Sequence, residues 1–137
     1  MELSDLRATA ALEHAGSARE RAYAPYSGFK MGAAVVTDTN AVIPGALIEN
    51  VSLGLAMCAE RAALFGTVSS GAGTPEILAL VSPRTDGRVT WPCGACLQVA
   101  LELGGPDLLV VVTDGKGEPH EARLKELAGQ LPYKGRG

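Results

Sequence analysis

Residues 107–113 read DLLVVVT, and Leu108 to Val112 are apolar without a break. A strand with no polar face must be covered on both sides. Residues 32–37 (GAAVVT) and 76–82 (EILALVS) are segments of the same kind. Between them lie stretches of helical length and spacing, 58–68 (CAERAALFGTV) and 93–103 (CGACLQVALEL). Buried strands alternating with helices predict helix layers on both faces of one sheet. The expected fold class is α/β, a three-layer α/β/α sandwich around a mixed sheet of about five strands. A chain of 137 residues suits one such domain over 1–137, and no repeat, low-complexity tract or linker divides it.

The remaining elements fit this frame. Residues 3–22 predict a first helix, because Ala8, Ala11, Leu12, Ala15, Ala18 and Ala22 recur at helical spacing. Pro25 pushes Ala24 out of the helical region and ends it. After the turn at 38–40, residues 41–48 (AVIPGALI) predict a strand pairing with 32–37. Pro44 cannot donate to a ladder, so that strand is bulged there or lies at an edge. In 93–103, Ala95, Val99 and Leu103 form one row and Cys96 and Ala100 its neighbour. A turn at DGKGEP precedes a short strand near His120, and residues 123–131 predict a final helix.

Charge narrows the partners. The net charge is −3 with no long run of one sign. That argues against a basic face for nucleic acid or an anionic membrane. No apolar run approaches the ~18 residues needed to span a bilayer, and the acidic, Ala-rich start has no signal-peptide pattern. The expectation is a cytoplasmic protein whose thiols stay reduced. There the Cys-x-x-Cys of WPCGAC (91–96) points to metal binding or catalysis before a disulfide.

Three cysteines are present: Cys58, Cys93 and Cys96. Cys93 and Cys96 are three apart at a predicted helix start, so both thiols can face one point. Cys58 opens another helix. Helix starts favour thiolate, because free N–H groups and the dipole stabilise negative charge. Three thiolates would leave the fourth tetrahedral position of a Zn²⁺ to water, the arrangement of a catalytic zinc. Glu60, two residues after Cys58, is then placed to take and deliver the proton of that water. Arg61 follows, and a guanidinium on the thiolates would offset their excess negative charge.

Each of these residues also has a plainer reading. Glu60 could compensate the helix dipole, and Arg61 could be a solvated arginine. A redox pair would fit 93–96 but leave Cys58 and Glu60 unexplained. A structural zinc site would want a fourth Cys or His. His14, in the first helix, and His120, in a turn, both read as surface residues.

Cys-x-Glu followed by Pro-Cys-x-x-Cys is more specific than either half, and zinc-dependent nucleobase deaminases carry it. CAERAAL (58–64) and PCGACLQV (92–99) resemble the two zinc motifs of the small, three-cysteine cytidine deaminase family. AYAPYSGFKMGAAVVT (22–37) is similar to that family's first-helix exit and first strand, and IENVSLGL (48–55) to its substrate loop. KEL (125–127) and QLPY (130–133) resemble a stretched form of its C-terminal segment.

The resemblance implies the α/β/α fold and a homotetramer. It implies zinc on Cys58, Cys93 and Cys96, and hydrolytic deamination of cytidine or deoxycytidine in pyrimidine salvage. Glu60 becomes the proton shuttle, protonating N3 and then the departing amine, with Arg61 supporting the thiolates. Phe29 packs on the base, Glu49 binds a ribose hydroxyl, and backbone groups around Ala59 hold the base edge. Phe29 reads equally as core, and Glu49 as a loop carboxylate.

Four departures bear on the substrate. Leu47 stands where the family has Asn, Trp91 where it has a small residue, and Leu97 where it has Arg. No C-terminal aromatic follows Tyr133. They leave open a deaminase of a modified cytosine nucleoside, of the blasticidin type. A separate alternative is a non-catalytic zinc or ligand-binding protein, and Glu60 argues against it.

Overall fold

A computed structural model describes residues 3–83 and 88–135. The chain forms α1 (Arg7–Arg19), β1 (Gly32–Thr37), β2 (Val42–Ala46), α2 (Ala59–Ser69), β3 (Pro75–Val81), α3 (Gly94–Gly104), β4 (Leu109–Thr113), β5 (Pro119–Arg123) and α4 (Leu124–Ala128). A turn of 3₁₀ helix, Leu53–Leu55, precedes α2.

The apolar strands are central. The sheet runs β2-β1-β3-β4-β5, with β3 and β4 parallel and the other pairs antiparallel. Alternate residues of each central strand feed opposite layers. Ala33, Val35, Leu78, Leu80, Val110 and Val112 pack with Leu64 of α2, Leu97 and Leu101 of α3 and Leu124 of α4. Ala34, Val36, Ile77, Ala79, Leu109 and Val111 pack with Ala8, Ala11 and Ala15 of α1. This is the expected α/β/α sandwich. A fully buried Leu or Val contributes about 1.5–3 kcal/mol, so the two layers commit the strands to one register.

Pro44 lies on β2, the edge strand, opposite Ala34 in an unbroken register. Of the two expected outcomes, the edge is realised, where one side of the backbone needs no partner.

The first helix is shorter at both ends than the periodicity of 3–22 predicts. At its start, Asp5 Oδ1 accepts the Arg7 N–H at 2.9 Å, and the Ser4 amide donates to Glu121 on β5 at 2.6 Å. At its end, the Tyr23 N–H donates to the Leu47 carbonyl at 2.9 Å, and Tyr23 bridges Ile48. That bridge requires extended backbone before Pro25 is reached. The final helix is also shorter than 123–131, since Gly129 turns away with φ 61°. In α3 the buried row is Cys96, Leu97, Ala100 and Leu101. The row of Ala95, Val99 and Leu103 is turned outward from it. No helix among the described residues is long and apolar enough to cross a membrane.

Candidate metal and proton-transfer site

Two helix starts meet on one face of the sheet. Cys58 is the N-cap of α2 (φ −66°, ψ 148°), and Cys93 is the N-cap of α3 (φ −69°, ψ 168°). Cys96 follows in the first turn of α3 and is fully buried. The depth of α2 is set by Gly45 on β2. A Cβ there would lie 2.4 Å from the Ala59 carbonyl oxygen and 2.5 Å from the Ala63 nitrogen. Only glycine lets the first turn of α2 rest on the strand this closely.

The Sγ atoms of Cys58, Cys93 and Cys96 all lie within 4.8 Å of one another. Cys93 and Cys96 are 3.5 Å apart, far beyond the ~2.05 Å of a disulfide, and all three cysteines are free. Arg61 Nη2 donates to Cys58 Sγ at 3.3 Å. The Arg61 Nε is buried with no hydrogen-bond partner among the described residues. Glu60 is 3% exposed, on the same turn as Arg61.

The electrostatics follow from this crowding. Burial pushes the Glu60 carboxyl up, against the pull of its own N–H, the Cys96 side chain and the Arg61 charge. Burial also raises the Cys96 thiol strongly, and the charges of Glu60, Cys58 and Cys93 add to it. Burial acts in the same sense on Cys93, but there the first-turn N–H groups of Cys96 and Ala95 and the neighbouring thiols prevail and lower it. The Arg61 guanidinium is held firmly protonated, chiefly by its bond to Cys58. Three thiols and a carboxylate this close cannot all ionise unaided. A soft dication removes the conflict, and a tripod of thiol donors at helix starts suits zinc.

The loop residues singled out from the sequence frame this cluster. Ile48 and Met57 exchange backbone hydrogen bonds at 3.0 and 2.8 Å, tying residues 47–49 to the residue before Cys58. Glu49 reaches the other way. Its Oε1 accepts the Tyr26 and Ser27 N–H groups at 3.0 and 3.2 Å, and its Oε2 accepts the Ser27 hydroxyl. Those bonds hold its carboxyl below the ordinary range, the Ser27 hydroxyl first among them. Phe29, on the same turn, is partly exposed, so the alternative that it is plain core fails. Ala59 is buried at the head of α2. Leu97 is part of the core, and Trp91 is half-buried against that same cluster.

The histidines stand apart from the thiols. His14 is exposed. His120 belongs to β5 and pairs with Asp114 at 3.0 Å, so it is engaged where a plain surface residue was expected. Sequence reasoning passed over Ser27 and Gly45. The lone Gly in the strand-like run 41–48 was the available signal for a close backbone approach.

The family model for the cytidine and deoxycytidylate deaminase zinc-binding region matches residues 7–113, a span holding all three cysteines and Glu60. The chain belongs to the cytidine deaminase family. It is 43% identical over 116 residues to a cytidine deaminase of Halalkalibacterium halodurans, covering 85% of this chain and 86% of that one. It is 41% identical to a cytidine deaminase of Mycobacterium tuberculosis, covering 87% and 82%. The crystal structure of a cytidine deaminase from Burkholderia pseudomallei superposes with a TM-score of 0.83 at 44% identity, covering 90% of this chain and 97% of that one. Membership in the cytidine deaminase family makes the chain a zinc-dependent hydrolase, and the thiol cluster is the group suited to the metal.

Proposed function

We propose that this protein hydrolyses the exocyclic amine of cytidine or deoxycytidine, releasing ammonia and the uracil nucleoside. Cys58, Cys93 and Cys96 hold the zinc, and Glu60 carries the protons. The observation that supports this most is the buried Glu60 carboxylate, two residues after the Cys58 cap of α2. A structural zinc site has no use for such a group.

Zinc, when bound, supplies a Lewis acid that brings the pKa of a water toward neutrality. Glu60 accepts that water's proton and delivers it to N3 of the base. As the oxygen bonds to C4, Glu60 takes up the proton that oxygen still carries and passes it to the amine, whose bond to C4 breaks to release ammonia, so one carboxylate serves both transfers. Its raised pKa suits it to hold a proton between the two steps. Arg61, bonded to Cys58, offsets thiolate charge that would blunt the metal. Phe29 packs on the base, and backbone groups around Ala59 hold the base edge. Glu49 lies toward the sugar, with one lone pair of Oε2 left for a hydroxyl.

Leu47 favours a second substrate reading. Its N–H and carbonyl are committed to Met31 and Tyr23, and its side chain cannot hydrogen-bond a sugar. A modified cytosine nucleoside would tolerate that. An ammonia-release screen separates the two, using cytidine, deoxycytidine and modified aminopyrimidine nucleosides, with zinc measured on the same preparation. Cytidine and deoxycytidine should head the list. A zinc-loaded protein that releases ammonia from none of them would end the proposal.

The reading extends to assembly and location. An apolar groove of about 460 Å³ runs between α2 and α3, lined by Phe65, Val68, Val99 and Leu103 among others. Phe65 and Val68 are 46% and 56% exposed. A second copy of the chain would cover it, as a homotetramer requires. Sedimentation equilibrium tests this, and a monomer at micromolar concentration would count against it. Free thiols at the site suit the reducing cytoplasm, where the reaction would serve pyrimidine salvage.

A further inference from the structure

Glu49 makes more bonds to its own chain than a sugar ligand needs. Its carboxylate accepts two backbone N–H groups and one hydroxyl, all from Tyr26 and Ser27. The Ser27 oxygen in turn accepts the Phe29 N–H at 3.0 Å. Between them Gly28 sits at φ 68°, which lets the chain turn sharply enough for this relay. The Glu49 backbone is tied to the same segment, its N–H donating to the Tyr23 carbonyl at 2.8 Å. On the other side, Ile48 is locked to Met57, next to Cys58. Residues 47–49 therefore form a strut. One end grips the Phe29 turn through the Glu49 carboxylate, and the other joins the start of α2, which carries Cys58 and Glu60.

We propose that Glu49 is a positioning residue, whose carboxylate latches the Tyr26–Phe29 turn through Ser27 and so fixes Phe29 relative to Cys58 and Glu60. The proposal rests on the assignment of Phe29 to the base. Three of about four lone-pair positions on the carboxylate are spent on the latch, which leaves one for any substrate hydroxyl. The carboxylate then governs how the base is held, whatever the sugar carries. A 1 Å displacement of a positioning group can cost about a hundredfold in rate.

The test crosses variants with substrates. Glu49→Ala, Glu49→Gln and Ser27→Ala are assayed on cytidine, 2′-deoxycytidine and 2′,3′-dideoxycytidine, with zinc content and circular dichroism as controls. For a latch, Glu49→Ala lowers kcat/KM roughly tenfold or more even on 2′,3′-dideoxycytidine, which lacks the 2′ and 3′ hydroxyls. Glu49→Gln keeps the two backbone bonds and loses less. Ser27→Ala reproduces most of the loss, and Ser27→Thr restores it. A loss seen on cytidine and absent on the dideoxy substrate would make Glu49 a sugar ligand alone and overturn the proposal. Amide hydrogen exchange supplies a readout independent of turnover. Exchange at Tyr26, Ser27 and Phe29 should quicken in Glu49→Ala, and unchanged exchange overturns the latch. If the wild-type protein turns over none of the nucleosides, the functional reading fails, and exchange alone still decides the latch.

Discussion

Gly45 and Ala59 meet backbone to backbone: a Cβ on Gly45 would stand 2.4 Å from the Ala59 carbonyl oxygen. The contact joins the edge strand to the first turn of α2, and that turn sits between Cys58 and Arg61. Gly45→Ala should therefore do two things. Overpacking should cost about 1–3 kcal/mol of stability. The displaced turn should also weaken zinc binding, because Cys58 moves relative to Cys93 and Cys96. Thermal unfolding and a chelator competition measure the two effects. A Gly45→Ala protein with unchanged melting and unchanged zinc affinity would show that the turn has slack the geometry does not suggest.

Arg61 should matter to the metal more than to the fold. Its guanidinium donates to Cys58 at 3.3 Å, and the bond keeps it protonated. Removing the charge leaves three thiolates with less compensation. Arg61→Ala should lose zinc affinity by roughly 10–100-fold, while the sheet, held by β1, β3 and β4, stays intact. Arg61→Lys keeps the charge without the planar fork and should recover only part. Equal zinc affinity in all three proteins would dismiss the charge-offset account.

Glu60 and Cys93 should separate chemistry from metal binding. Glu60→Gln removes the proton carrier and leaves the thiols, so zinc content should hold while kcat falls on the order of 10²–10⁴-fold. Burial raises the Glu60 carboxyl, so its charged form is held at a cost, and the melting temperature of the variant should not drop. Cys93→Ala removes a donor and should lose metal, destabilising the joint between α2 and α3. Metal analysis of both variants beside their turnover is the measurement. Full zinc in Cys93→Ala, or undiminished turnover in Glu60→Gln, would contradict the assigned roles.

What was legible in the sequence was local. The runs at 32–37, 76–82 and 107–113 have no polar face, so their place at the centre of a covered sheet follows from composition alone. The thiols were legible because Cys93 and Cys96 share a helical turn and Cys58 sits at another helix start, where short spacing fixes direction. The bond between Glu49 and Ser27 was not, because the two are 22 residues apart and that pairing leaves no periodic trace. The end of α1 was misplaced for the same reason, as Tyr23 is drawn out of the helix by Leu47 and Ile48. Ala95, Val99 and Leu103 look like a core row in the sequence, yet Val99 and Leu103 line the α2–α3 groove. A row that lines a surface groove reads the same in the sequence as one buried in the core.

The hairpin of β4 and β5 carries its own acid sensitivity. His120 Nε2 lies 3.0 Å from Asp114 Oδ2, and the Lys116 and Glu118 N–H groups donate to Asp114 Oδ1. The His120 bond first, with those N–H groups behind it, lowers the Asp114 carboxyl to about 2. An unfolded Asp titrates near ~3.9. Because the folded value is the lower one, the contribution to stability is fully present above about pH 4 and is lost as the pH falls toward about 2. His120→Ala should raise the Asp114 titration toward the ordinary carboxylate range. At pH 3, ¹³C carboxyl shifts should find Asp114 mostly ionised in the wild-type protein and substantially protonated in His120→Ala. The same titration in both proteins would mean that the turn amides, and not the histidine, hold the charge.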